Sequence, residues 1–155
     1  MKKMNVQRKK ISVVLVVLLV SLVFTACSAR TPVDPEVFKS ASEELGLTVT
    51  EYPEDQLAET TATRFITAVS DTAMAELVVF SDEASAKTTY AQFLAQITET
   101  GKEEKRVDSS TYSKYIFESD ANYYALVRIN NSVFYAKGDK SENTIASLVE
   151  KIGYK

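Results

Sequence analysis

The chain of 155 residues contains no histidine and no tryptophan, and it has one cysteine, three prolines and four glycines. Without histidine there can be no Ser–His–Asp or Cys–His nucleophilic site. The commonest transition-metal ligand is missing too, and one cysteine cannot replace it. Four glycines are too few for a phosphate-cradling loop or a nucleophile elbow, and no Ser-x-x-Lys motif or calcium-type Asp ladder occurs. A single thiol excludes an internal disulfide. The expectation is a domain with neither cofactor nor metal.

The one long apolar run is Ile11–Ala26, ISVVLVVLLVSLVFTA. It follows a segment, Met1–Lys10, that carries Lys2, Lys3, Arg8, Lys9 and Lys10 and no acid. A basic n-region, a short apolar h-region and small residues before a boundary make a secretory signal peptide. At 16 residues, with Ser12 and Ser21 inside it, the run is short for a spanning helix, which needs about 20. The boundary Phe24-Thr25-Ala26-Cys27 resembles the lipobox of bacterial lipoproteins, although Phe24 stands where that family usually has Leu. The resemblance implies a signal peptide over residues 1–26, a diacylglyceryl thioether on Cys27 and cleavage before it. It also implies an acylated Cys27 as the partner of the lipid bilayer on the extracytoplasmic face of a cell membrane, in a Gram-positive setting. Residues 27–33 then form the lipidated cysteine and a short tether, and residues 34–155 an α+β domain.

Loss of the leader removes five cations and no acid, so the net charge moves from −3 to −8 over the remaining 129 residues. An acidic domain repels phosphates, which argues against a nucleic-acid partner. It is also repelled by anionic head groups, so the acyl chains must hold it at the bilayer.

Along the domain, Asp34-Pro35 opens a helix with an apolar stripe of Val37, Phe38, Ala41 and Leu45, stopped at Gly46. Leu47–Thr50 reads as a strand, and the acidic residues 51–60 as a loop. Thr63–Ser70 and Met74–Phe80 read as a hairpin around Asp71-Thr72. Ser81-Asp82 caps a second helix with Ala86, Tyr90, Phe93, Leu94 and Ile97 at helical spacing, closed by Gly101. Residues 102–110, KEEKRVDSS, read as a charged loop. Thr111–Phe117, Asn122–Ile129 and Ser132–Lys137 form an antiparallel meander, and a helix from about Ser141 carries Ile145, Leu148, Val149 and Ile152. The expected fold is a single α+β domain, an antiparallel sheet of about six strands with helices packed on one face. Strand–strand–helix recurs over 63–100 and 122–152, as an internal ββα repeat would. The runs FKSASEELGLTVTEY and ELVVFSDEASAKTTYAQF, the Tyr-rich meander and the terminal IGY resemble small uncharacterised lipoproteins of Firmicutes, a resemblance that brings no activity with it.

Two surfaces offer chemistry. Glu51, Glu54, Asp55 and Glu59 cluster in one loop, and paired carboxylates can hydrolyse glycosides, which gives the alternative function of a carboxylate-dependent cell-envelope hydrolase. The ordinary reading of that loop is solvated acid. In the meander, Asn130-Asn131 suits a two-residue turn and sets Val127 opposite Phe134 and Leu126 opposite Tyr135. At the Ser119-Asp120 turn a two-residue loop would put Lys114 on the face of Val127 and Phe134. A three-residue loop puts Tyr115 and Phe117 there and keeps charge out of the core, so it is preferred. The other face then carries Tyr112, Lys114, Tyr124, Arg128, Tyr135 and Lys137, an open amphipathic platform for an envelope protein, a peptide or a glycan. The leading functional reading is a membrane-anchored binding or interaction module without catalysis.

Overall fold

The structure, a computed structural model, describes residues 30–155, of which Thr31–Lys155 make one compact unit. The leader and Cys27 lie outside the described residues. The elements are α1 (Pro35–Glu44), β1 (Thr48–Glu51), α2 (Glu54–Leu57), β2 (Ala62–Val69), β3 (Ala73–Phe80), α3 (Glu83–Gln96), β4 (Gly101–Asp108), β5 (Tyr112–Ser119), β6 (Asn122–Ile129), β7 (Ser132–Asp139), a 3-10 turn (Lys140–Glu142) and α4 (Thr144–Lys151). Every strand pair is antiparallel, in the order β1-β2-β3-β7-β6-β5-β4. The domain is therefore α+β, as expected, with seven strands. No helix among the described residues is long and apolar enough to cross a membrane.

Local chemistry explains the boundaries. The Asp34 carboxylate accepts the Glu36 N–H ahead of Pro35, and Asp82 accepts the Ser85 N–H ahead of α3. Gly46 and Gly153, both with positive φ, follow the ends of α1 and α4. The β6–β7 hairpin turns on Asn130 at φ 52°, and its pairing is the one read from the sequence.

The sheet has helices on both faces, not one. On the first face α1 and α4 bury Phe38, Ile145, Leu148 and Val149 against Ile66, Leu77, Val127 and Phe134. Phe134 takes the Phe38 and Tyr154 rings edge-on at 6.0 and 5.6 Å. On the second face α3 packs Ala86, Tyr90, Phe93 and Leu94 against Val78, Val133, Leu126 and Tyr135. The two ββα segments therefore send their helices to opposite faces. A twofold relating the antiparallel neighbours β3 and β7 would keep both helices on one face, so these segments are not copies of one unit.

Other expectations are corrected by the same geometry. Residues 101–108 are not a loop but the edge strand β4, which pairs with β5 through a bulge between Glu103 and Lys105. The strand is exposed nearly throughout, so no apolar alternation marks it, and its mixed charges and bulge protect the sheet edge. Gly101 does not close α3, which ends at Gln96; it lies so close to β5 that a Cβ would sit 2.1 Å from the Glu118 carbonyl oxygen. The 51–60 loop contains the one-turn helix α2, which buries Leu57. Val37, assigned to the α1 stripe, is half exposed, and Ser42 is buried in its stead.

Candidate functional site: the second sheet face

The turn between β5 and β6 has two residues, since Glu118 pairs with Tyr123 and Lys114 with Val127. The preferred three-residue loop is thus one residue out, and every β5 side chain exchanges faces. Tyr112 and Lys114 lie on the first face with Val127 and Phe134. Tyr115 and Phe117 lie on the second. Lys114 is tolerated in a packed layer because its long stem carries the ammonium to the Tyr154 carbonyl, to which it donates. The Tyr154 hydroxyl in turn accepts the Val33 N–H at 2.7 Å, and burial pushes that phenol up to about 12. The C-terminal Tyr154 thereby joins the start of the folded chain to the middle of β5.

Tyr124, Arg128, Tyr135 and Lys137 do share the second face. They do not form an open platform, because α3 covers them. Tyr124, Arg128 and Tyr135 are buried, and the Phe93 ring stacks on Tyr135 at 4.7 Å, 3° from parallel. Three rows of paired residues cross this face. One runs Phe65, Val78, Val133, Arg128, Ser113, Asp108; the next Thr50, Thr67, Glu76, Tyr135, Leu126, Tyr115, Arg106. The third runs Thr48, Val69, Met74, Lys137, Tyr124, Phe117 and Glu103.

Arg128 is satisfied without a carboxylate contact. Its guanidinium donates to the Ser109 carbonyl at 2.8 Å, the Ser110 carbonyl at 3.3 Å and the Ser113 hydroxyl at 2.9 Å. The Ser113 hydroxyl donates to the Asp108 carboxylate at 2.6 Å. The cation thus pins the β4–β5 turn. Tyr90 of α3 is half-buried above this group, and desolvation, with Asp108 adding to it, raises its phenol to about 12.

At the other end of α3, Glu99 gathers donors. Asn122 Nδ2 reaches it at 3.1 Å and Lys137 Nζ at 3.2 Å, and the Tyr124 hydroxyl donates to the same carboxylate. Hydrogen bonds from Ser119, Tyr124, Asn122 and Lys137 bring its pKa down to about 2. Lys137 also lies 5.1 Å from the Tyr124 ring centroid. This cluster latches the α3–β4 connection to the β5–β6 and β7 strands. Sequence reasoning missed Glu99, because nothing in its local pattern marks a residue whose four partners lie 20 to 38 positions away.

Helix α3 packs on β3, β6 and β7, and the face over β1 and β2 is only partly covered. Here Phe65 and Thr67 are partly exposed, Val69 is 43% exposed, and Tyr52, 36% exposed, stacks on Phe65 at 4.6 Å. Glu76 of β3 lies at the margin of this area. It is half-buried and raised above the ordinary glutamate range by desolvation. It has no hydrogen-bond or ion-pair partner among the described residues. The sequence carried a signal for it, an acid in the alternation Met74, Glu76, Val78, Phe80, that the reading passed over.

No protein-family profile matches the chain, and no curated protein matches it. Among solved structures, a protein described as a GTP binding regulator from Thermotoga maritima is similar over 74% of this chain and 86% of its own, at 15% identity and a TM-score of 0.42. Function has to be argued from the site itself.

The acidic loop of the hydrolase reading does not assemble as a catalytic pair. Glu51 accepts from Lys39 Nζ and from Arg64 Nε, both at 2.9 Å, and those bonds lower its pKa. Glu36 joins the same pair of cations. Glu36, Lys39 and Glu51 border an open groove of about 420 Å³ between α1 and β1, lined also by Ser40, Glu43 and Val49. Glu54 and Asp55 sit in the first turn of α2, and Glu59 is exposed beyond it. No group of three or more acids that could hold a metal ion occurs among the described residues.

Proposed function

We propose that this chain is a membrane-anchored, extracytoplasmic lipoprotein whose domain is a non-catalytic binding module. The anchor is Cys27, acylated after removal of residues 1–26, and the positive leader flank fixes the domain on the far side of the membrane. The observation that carries the reading is the position of Val33. It is the first buried residue among those described, with its N–H on the Tyr154 hydroxyl, and it lies six residues beyond Cys27. Six residues reach at most about 20 Å, which keeps the domain and whatever it binds near the bilayer surface. Cys27→Ser tests this directly. The variant should accumulate as precursor or be released, and should take up no radioactive palmitate. Unchanged processing and labelling would exclude the anchor.

The alternative, a carboxylate-dependent hydrolase, draws less support. A general acid needs a raised pKa, and Glu51 is held in its charged form by two cations. Glu76 does have a raised pKa, but among the described residues its row across the sheet holds no second carboxylate to share the work.

A further inference from the structure

We propose that the uncovered part of the second face, centred on Glu76, docks a partner's peptide segment that presents one lysine or arginine among apolar side chains. This rests on the reading of the domain as a binding module and names its partner. Glu76 stands between Thr67 and Tyr135 in its row, with Met74 and Val78 on either side along β3. A β-branched or aromatic residue there would extend the apolar layer and suit the strand better. The carboxylate instead gives up solvent without receiving a partner, a cost that a docked cation would remove. The nearest cation in the pattern of this face, Lys137, is engaged by Glu99 and Tyr124. Lys39 and Arg64 belong to the opposite face, where Glu36 and Glu51 engage them. The charge left uncompensated on this patch is therefore negative.

The surroundings specify the flanks of the ligand. Of the three large hydrophobic residues most exposed among the described residues, two, Tyr52 and Val69, border this area. A cationic side chain reaching Glu76 would lay its neighbours on them. The acidity of the mature domain favours the same partner at longer range. Anionic head groups and nucleic acids would be repelled, and a neutral glycan would leave the carboxylate charge uncancelled.

The test uses the full lipidated chain in phosphatidylcholine nanodiscs, challenged with a randomised heptapeptide library whose retained members are sequenced. Wild type should enrich Lys or Arg about tenfold at one position, with apolar residues beside it. Glu76→Gln should lose the cation preference and keep the apolar one, whereas Glu83→Gln, at an exposed acid on α3, should change neither. Val69→Lys, at an exposed site beside the patch, supplies a cation in cis and should also abolish the preference; it decides the matter should Glu76→Gln fail to fold. A wild type that selects no cationic position, or a preference that survives both substitutions, would overturn the proposal. The anchor is judged separately: a Cys27→Ser chain that is still processed and labelled with palmitate removes the membrane reading alone, while peptide selection by the domain stands or falls with Glu76.

Discussion

Glu99 and Glu76 share one sheet face and have opposite electrostatics, and each sets a pH dependence of known sign. Glu99 has a folded pKa near 2 against a usual value near 4.5, so its contribution is complete above about pH 4.5 and is lost as pH falls towards 2. Thermal melts of wild type and Glu99→Gln should differ at pH 6 and converge by about pH 2. Glu76 works the other way. Its folded pKa is raised, so the folded state binds more protons and stability falls as pH rises through the interval between the unfolded and folded values. Glu76→Gln should therefore melt higher than wild type at pH 7 and match it at pH 4. A melt at pH 7 below that of wild type would mean that the carboxylate is already paired. Ser42 gives a third residue-scale expectation. Its hydroxyl is buried inside α1 with no hydrogen-bond partner among the described residues. Ser42→Ala should raise stability by about 1 kcal/mol in urea unfolding, through a relieved polar group and better helix propensity.

At the scale of elements, α3 decides whether the tyrosines of the meander are surface or core. It is held by a narrow stripe in which Ala86 alone is fully buried, supplemented by the Phe93–Tyr135 stack and by the Glu99 latch just beyond its end. Replacing Tyr124 and Tyr135 together by Ser should unfold the domain or cost about 3 kcal/mol or more per ring, the range for large-to-small changes at buried aromatics. A double variant that kept wild-type stability would require both rings to be exposed. Arg128 belongs to the same layer. Arg128→Met leaves two turn carbonyls and the Ser113 hydroxyl without their donor and should cost about 2–4 kcal/mol by chemical unfolding. The edge strand β4 carries its protection in its own charges, Lys102 to Asp108, and that charge pattern is why it resembles a loop.

At the scale of the whole molecule, Thr31–Lys155 forms one compact unit whose sheet is packed on both faces. The first face is closed by α1 and α4 around Phe38, Phe134 and Tyr154, and the chain ends are joined there by Val33 on the Tyr154 hydroxyl. A soluble chain beginning at Arg30 should melt in one cooperative transition, with the same midpoint in reductant or chelator. A drop in midpoint with EDTA would point to an oxygen-ligand metal site that the packing does not require.

The sequence by itself determined the elements whose signals are local. The Asp34-Pro35 and Asp82 caps, the β2–β3 hairpin, the Asn130 turn with its register, and the α4 stripe are dictated by backbone geometry and apolar spacing within a few residues. The α+β class follows from their order. Tertiary structure decided what depends on distant partners. Lys114 entered the apolar layer because the Tyr154 carbonyl, 40 positions away, could receive its ammonium, which a rule keeping charge out of cores does not foresee. The accommodation is compatible with the two-residue β5–β6 turn, whose register decides the face on which each β5 side chain lies. The side of the sheet on which α3 lands is likewise set by packing, since either face of a meander presents tyrosines and aliphatics. The candidate site followed the helix: the residues α3 covers became core, and the patch around Glu76 was left where its cover stops.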